Sequence, residues 1–239
     1  VTIILVFLIG SAIMSFLMHI AEAQQLSLSA LSHRSKCQTC QQTLQWQDLV
    51  PIVSYILLKG RCRNCLTSIP RQLFIAEIFG GFIAIMPFIS TLYIATDTFY
   101  IIAFILLALA FNDIQYLTVP HRLLVILFLS NYLRLLPFSF EMSHFYLMLG
   151  LIVSSFCLQR YIGMGDFKLF FVLSIFLPVP FTLFIIWFTF PIGLLLIPVF
   201  KLYHLFNAPF VPLVPAICSS FICVSLCYPL ILNMIGGLI

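Results

Sequence analysis

The sequence predicts an all-α polytopic membrane protein of about eight transmembrane helices with a cytoplasmic zinc-knuckle insertion. Three observations carry that prediction. The first is composition. Of 239 residues 63% are hydrophobic and 8% are charged, against roughly 25% charged in soluble domains. So few charges could not cover the surface of a soluble fold, and 26 phenylalanines in long apolar runs fit lipid as the solvent. The second is charge placement. Arg34, Lys36, Lys59, Arg61, Arg63 and Arg71 are six of the eleven basic residues, and all lie between the first two apolar runs. The third is a pair of Cys-x-x-Cys motifs within that same basic segment.

The apolar runs place candidate spans at 1–20, 72–95, 98–112, 121–138, 143–160, 167–184, 186–203 and 211–235. Val1 to Ile20 lacks a basic n-region and a small-residue cleavage site, so it is expected to be the first spanning helix rather than a cleaved leader. The basic segment 21–71 is cytoplasmic by the positive-inside rule, and 72–239 forms the transmembrane core. Alternation then places the 113–120, 160–167 and 204–210 loops inside. The turns at 96–97, near Glu141 and at Thr182 to Ile185 fall outside. Arg122, Arg160, Lys168 and Lys201 land near inside ends, and Arg134 is the one exception. A nucleic-acid-binding patch is the competing reading of the basic segment. It lacks stacking aromatics and is tethered to membrane at both ends, so no nucleic-acid partner is expected. Prolines 178, 180, 191 and 198 mark kinks or turns in the later spans, and no internal repeat stands out.

Cys37-Gln-Thr-Cys40 and Cys62-Arg-Asn-Cys65 are separated by 21 residues. Two such knuckles can direct four thiolates at one tetrahedral zinc. Two disulfides or four free thiols are the alternatives, and a reducing cytoplasm disfavours the disulfides. Four thiolate ligands leave no open coordination position, so the expected zinc is structural, a source of folding free energy for a polar segment with little core. Cys157, Cys218, Cys223 and Cys227 fall in apolar runs and read as small packing residues.

With seven acidic residues in the chain, each can be weighed. Glu22, Asp97 and Glu141 sit at predicted span ends. Asp113 closes a long apolar run, and Asp166 stands in Gly163-Met164-Gly165-Asp166 at the entrance to another. Both fall at the inside membrane boundary on different helices, where ionisable groups are costly and tend to be functional. Two carboxylates brought together there do not both ionise easily and titrate as a unit. That suits water activation, the ionised partner taking a proton from water and the protonated one donating to a carbonyl oxygen. Gly163 and Gly165 would let a substrate backbone approach closely. The bland alternative is two ordinary helix-end residues, Asp166 being favoured near a helix N-terminus by the macrodipole.

Around these residues the chain resembles the bacterial type IV prepilin leader peptidases, of the GxGD class of intramembrane aspartyl proteases. The resemblance runs through both Cys-x-x-Cys pairs, Trp46-Gln47-Asp48-Leu49-Val50-Pro51-Ile52-Val53-Ser54-Tyr55, Gly60-Arg61-Cys62, Arg71 and Glu77. It continues through Asp113-Ile-Gln-Tyr-Leu-Thr-Val-Pro120 and Gly163-Met164-Gly165-Asp166-Phe167-Lys168-Leu169. It implies cleavage of the basic leader of prepilins or pseudopilins at the cytoplasmic face of the bacterial plasma membrane. Asp113 and Asp166 would be catalytic, Gly163, Gly165 and Lys168 substrate-binding, and Cys37, Cys40, Cys62 and Cys65 the zinc ligands. Many such enzymes also methylate the new N-terminus with S-adenosylmethionine. The chain departs from the family after Gly10-Ser11, where the usual Asn and closing Arg are missing, and in Ala208 to Pro215, where a usual glycine is missing. The first departure bears on methylation rather than on proteolysis. Two other classes compete. A transporter would use the two aspartates as an ion or proton relay, but its spans should carry more polar groups than Glu77. A non-catalytic scaffold would use the knuckle to dock a partner.

Overall fold

The computed structural model describes residues 1–22, 35–37, 39–134, 141–160, 162–202 and 211–236. The expected positions of Arg34 and of the 204–210 loop, and the end of the 121–138 span, lie outside the described residues. The described chain is helical apart from two isolated bridges. Its helices are α1 (Thr2–Glu22), α2 (Val53–Leu57), α3 (Arg71–Ile89), α4 (Thr96–Tyr116), α5 (His121–Arg134), α6 (Met142–Leu158), α7 (Met164–Phe176), α8 (Val179–Leu202) and α9 (Val214–Gly236). A 3₁₀ turn at Trp46–Leu49 precedes α2. Four helices, α1, α3, α4 and α8, are long and apolar enough to cross a membrane. Shorter apolar stretches are His121–Leu133 in α5, Met142–Leu158 in α6 and Val214–Leu230 in α9.

Three expected boundaries are corrected. The run 167–184 is not one span. It breaks at Leu177–Pro178, and 179–185 belongs to α8, so the turn expected at Thr182 to Ile185 lies five residues earlier. The physical reason is proline. Pro178 cannot donate to a continuing helix, whereas Pro180 sits in the first turn of α8, where no intrahelical donor is needed. The second span ends at Ile89 instead of continuing to 95. The third runs through Asp113 to Tyr116 rather than ending at 112, and so places Asp113 inside the last turn of a helix.

The chain forms two compact units, Val1–Ile89 and Ser90–Ile239. In the first, α1 and α3 pack antiparallel, since Phe7 meets Phe82 while Met14 meets Gly80. Glycines set the closeness of the pair. A Cβ on Gly10 would overlap Ala84, and one on Gly80 would stand 2.5 Å from Met14 Cβ. Without a hydrophobic drive between helices in lipid, such small-residue contact is what lets backbones meet.

In the second unit α4 is the central helix, 72% of its most apolar stretch being buried against 17% for α8. It packs on α5 and α9, and α9 packs in turn on α8. One end of this unit is an aromatic cluster in which Phe99 stacks on Phe221, while Phe181 packs edge-on against Phe221 and Tyr228. Ser220 on α9 donates to the Ile185 carbonyl of α8 inside this apolar setting. From Phe99 to Asp113 the helix rises about 21 Å at 1.5 Å per residue. The aromatic end and the acidic end are therefore separated by most of a bilayer's hydrocarbon thickness, about 30 Å.

Candidate functional site

Asp113 is brought to its place by the length of α4, which carries an apolar run as far as Phe111 and then presents Asn112 and Asp113 at the turn that follows. Both side chains are buried, at 6% exposure each. Leu117 ends the helix in the left-handed region (φ 51°), its amide donating to the Asp113 carbonyl. A leucine there is strained, and Asn112 secures the turn by donating from Nδ2 to the Thr118 carbonyl at 2.7 Å. The Asp113 carboxylate accepts the Val214 amide at 3.1 Å from Oδ2, with the Leu213 amide also directed at it. Val214 is the first residue of α9, so Asp113 sits at a helix N-terminus, where free amides and the helix dipole favour an anion.

Asp166 has the same kind of support from its own helix. Gly163 is the N-cap of α7 and Asp166 the third residue of its first turn. Its carboxylate reaches back to the Gly163 amide, which is the acidic half of a capping box. A Cβ on Gly163 would stand 3.1 Å from Asp166 Oδ2, so the glycine leaves that oxygen uncrowded. Gly165 has another neighbour. A Cβ there would lie 2.9 Å from Val119 Cγ2 and 3.0 Å from Val119 Cβ. The second glycine of the motif is therefore what allows the segment after Asp113 to pack against the first turn of α7.

The result is that Asp113 and Asp166, 53 positions apart in the chain, lie close enough to interact electrostatically. Lys168 does not join them. Two residues on from Asp166, it points to a different face of α7 and lines an apolar cavity with His121, Phe128, Leu151, Phe167 and Phe171. Sequence reasoning missed Asn112, Val119 and Val214. Val119 and Asn112 flank the first acidic motif and could have been suspected, but nothing in the sequence assigns an amide at 214 to a carboxylate at 113.

The four cysteines Cys37, Cys40, Cys62 and Cys65 converge, with their sulfurs within 4.8 Å of one another. None is in a disulfide. The two knuckles are copies of one turn. In each, the amide four residues after the first cysteine (Gln41, Leu66) donates to that cysteine's carbonyl. That residue has positive φ (58°, 59°). A bridge then pairs the residue before the motif with the one six after the cysteine, Lys36 with Thr43 and Arg61 with Ser68. This eight-residue repeat, Lys/Arg-Cys-x-x-Cys-x-x-Thr/Ser, spans 36–43 and 61–68 and is too short to stand out in the sequence.

The cluster can hold a metal ion. Zinc–sulfur bonds of about 2.3 Å set the sulfurs of a tetrahedron about 3.8 Å apart, and Cys37 Sγ and Cys65 Sγ are 3.7 Å apart. Without a cation the thiols compete. Hydrogen bonds from Thr67 hold the Cys65 thiol down to about 6. The Gln42 amide pulls Cys40 down as well, but desolvation and the neighbouring Cys37 and Cys65 push it up to about 11. Arg63 in the second knuckle grips Asp48 through Nε at 3.1 Å and Nη2 at 2.7 Å, tying the knuckle to the 3₁₀ turn.

Comparison with known proteins follows the same division. A family model described as the bacterial peptidase A24 N-terminal domain matches residues 8–91. A second, described as the type IV leader peptidase family, matches residues 100–199. The chain is 29% identical over 215 residues to a prepilin leader peptidase/N-methyltransferase of Vibrio cholerae serotype O1, covering 81% of each protein. A protein of the same description from Bacillus subtilis is 31% identical over 102 residues, 42% of this chain and 41% of that one. One from Myxococcus xanthus is 26% identical over 169 residues, 69% of this chain and 50% of that one. No solved structure matches the chain.

Proposed function

The chain belongs to the type IV prepilin leader peptidase family, peptidase A24, and from that premise we propose that it is an aspartic endopeptidase of the bacterial plasma membrane that removes the basic leader of prepilins or pseudopilins at the cytoplasmic face. The observation that carries the reading is that two buried aspartates on different helices lie within electrostatic reach of each other, each supported by helix-start amides. A pair that shares one proton has both an acid and a base. The ionised carboxylate takes a proton from a water molecule, whose oxygen bonds to the scissile carbonyl carbon. The protonated carboxyl gives its proton to the carbonyl oxygen. Collapse of the tetrahedral intermediate breaks the C–N bond, the proton taken from water going to the new amine, while the hydroxyl proton returns to the carboxylate that donated it as the carbonyl re-forms. Gly163 keeps Asp166 Oδ2 open to an extended substrate backbone. Gly165 packs instead against Val119, and Lys168 lines the neighbouring apolar cavity, so of the three residues expected to bind substrate Gly163 is the one that adjoins a carboxylate.

In this reading α1 and α3 through α9 all cross or enter the bilayer as eight segments, with 21–71 cytoplasmic and 72–239 forming the core. Cys37, Cys40, Cys62 and Cys65 hold one structural zinc, whose contribution is to fix the two knuckles against each other. Methylation of the new N-terminus, which the relatives' names include, would use S-adenosylmethionine.

The test is co-expression with a candidate prepilin and mass spectrometry of the pilin N-terminus, which reads cleavage, its site and any added methyl group together. Asp113→Asn and Asp166→Asn should each accumulate in membranes and leave the prepilin uncut, a loss of about 10²–10⁴-fold or more. Wild-type processing by either variant would remove that aspartate from the mechanism.

A further inference from the structure

The segment between α1 and α3 carries a row of apolar side chains left exposed among the described residues. Trp46 is 71% exposed, and Leu49, Val53, Ile56 and Leu57 are exposed as well. Trp46 and Leu49 lie on the 3₁₀ turn and Val53, Ile56 and Leu57 on α2, on either side of the break at Ile52. In a segment that is otherwise polar and basic, five such residues need a partner.

The segment's height along the membrane is fixed by two contacts with α3. The Ile52 amide donates to Glu77 Oε2 at 2.7 Å. Tyr55 stacks on Phe74 with ring centroids 4.4 Å apart. Glu77 is six residues into a helix apolar enough to span a membrane, about 9 Å beyond Arg71. Glu77 is also buried and accepts from the Ser15 hydroxyl of α1, so the site lies between two membrane-crossing helices. The backbone is strained to reach it. Ile52 has φ 64° and ψ −52°, and the Val53 amide closes a γ-turn onto the Pro51 carbonyl at 2.6 Å. A β-branched residue in that conformation persists only where its surroundings hold it. Gly60, at φ +67°, lies close against the Tyr55 ring, where a Cβ would stand 2.9 Å from Cζ. Lys59 and Arg61 follow the apolar row directly, and both are exposed.

We propose that residues 46–57 lie in the headgroup–acyl boundary of the cytoplasmic leaflet, with Trp46, Leu49, Val53, Ile56 and Leu57 in lipid and Lys59 and Arg61 at anionic headgroups. An apolar face bordered by cations is the composition of an interfacial segment, and an indole at that depth is its usual anchor. Anionic lipid adds attraction through the two cations. The segment is thus a membrane-bound strap that carries the metal knuckles at the bilayer surface, rather than a domain suspended in water. The proposal rests on the orientation of the spans and not on proteolysis.

The two tryptophans of the chain, Trp46 and Trp187, make it directly testable. Trp187 is an exposed residue of the long apolar α8 and serves as the lipid reference. The full chain would be reconstituted in phosphatidylcholine/phosphatidylglycerol vesicles doped with brominated phospholipid. Trp187→Phe leaves Trp46 as the sole emitter, and Trp46→Phe gives the reference. Brominated lipid should quench Trp46 by at least about half as much as Trp187, and aqueous iodide should quench it weakly. Ile56→Lys with Leu57→Lys should lower the lipid quenching at least about twofold. Lys59→Gln with Arg61→Gln should make it insensitive to phosphatidylglycerol content. Strong iodide quenching without lipid quenching would overturn the proposal by putting the face in water. Shielding from both quenchers would overturn it in favour of a protein partner, a second copy of this chain if the shielding is lost on dilution into excess lipid. Prepilin cleavage measured on the same vesicles separates a failure here from a failure of the peptidase reading.

Discussion

Replacing Gly165 with alanine should push apart the two acidic motifs. The added Cβ would stand 2.9 Å from Val119 Cγ2 and 3.0 Å from Val119 Cβ, where ordinary contact begins at 3.4 Å. A rotation of the valine side chain does not resolve the conflict, because Val119 Cβ is itself too close. Either the backbone after Asp113 or the first turn of α7 must move by about 0.5 Å. Overpacking of this kind costs about 1–3 kcal/mol of stability. A misplacement of about 1 Å in catalytic geometry can cost about 10²-fold in rate, so half that distance predicts about a tenfold loss. The assay is the initial rate of leader removal from a purified prepilin by the enzyme in vesicles, with thermal unfolding of the same preparation. Val119→Ala removes the nearer contact and leaves the Cβ contact. The double variant should therefore recover part of the lost rate, with a coupling of about 0.5 kcal/mol or more. A G165A enzyme that cuts at the wild-type rate would refute the packing argument. So would a double variant no faster than G165A alone.

Three further outcomes follow from other contacts. Val214→Pro removes the amide that Asp113 accepts at a position where helices tolerate proline, and a hydrogen bond to a charged group is worth about 1.5–3 kcal/mol. Processing should fall about ten- to a hundredfold with normal membrane accumulation, whereas Val214→Ala, which keeps the amide, should not. Cys37→Ser should reduce bound zinc from about one per chain to well below that by elemental analysis, while Asp113→Asn leaves the metal in place. Glu77→Ala leaves the Ile52 amide without its acceptor and should cost about 1–3 kcal/mol in unfolding measured in detergent. Glu77→Gln keeps an acceptor oxygen and should recover most of that loss.

The helices were legible because lipid imposes a simple code. Each of the eight apolar runs in the sequence overlaps one of α1 and α3 through α9, although the run 167–184 continues past the end of α7 into α8. Their ends were less legible because apolar content does not tell a helix from a turn inside an apolar stretch. The break at Pro178 lies within continuous phenylalanine, leucine and valine, and only the helix-start tolerance of Pro180 marks which side begins the next element. Asp113 and Asp166 were conspicuous because acids are scarce here, and the cysteines because their spacing is periodic. The strained turn at Ile52 and its carboxylate were not visible. Isoleucine has no propensity for positive φ, and Glu77 reads as one more polar residue near a helix end.

The dependence of Asp113 on α9 has a consequence for where the site ends. Asp166 takes its amide from its own first turn, so any fragment that folds α7 supplies it. Asp113 sits in the last turn of α4, near the carbonyl end of its helix, where the dipole disfavours an anion. The opposing field comes from the N-terminus of α9, whose first amide is 101 residues further along the chain. The matched leader peptidase segment stops at residue 199, before α9 begins. Residues 100–199 thus contain both carboxylates and lack the group that makes one of them tolerable as an anion. Pro215 in the first turn of α9 cannot donate, which leaves the amides of Leu213 and Val214 as the ones that turn toward Asp113. On the proposed peptidase reading, the acidic site is therefore built from α4, α7 and α9 together.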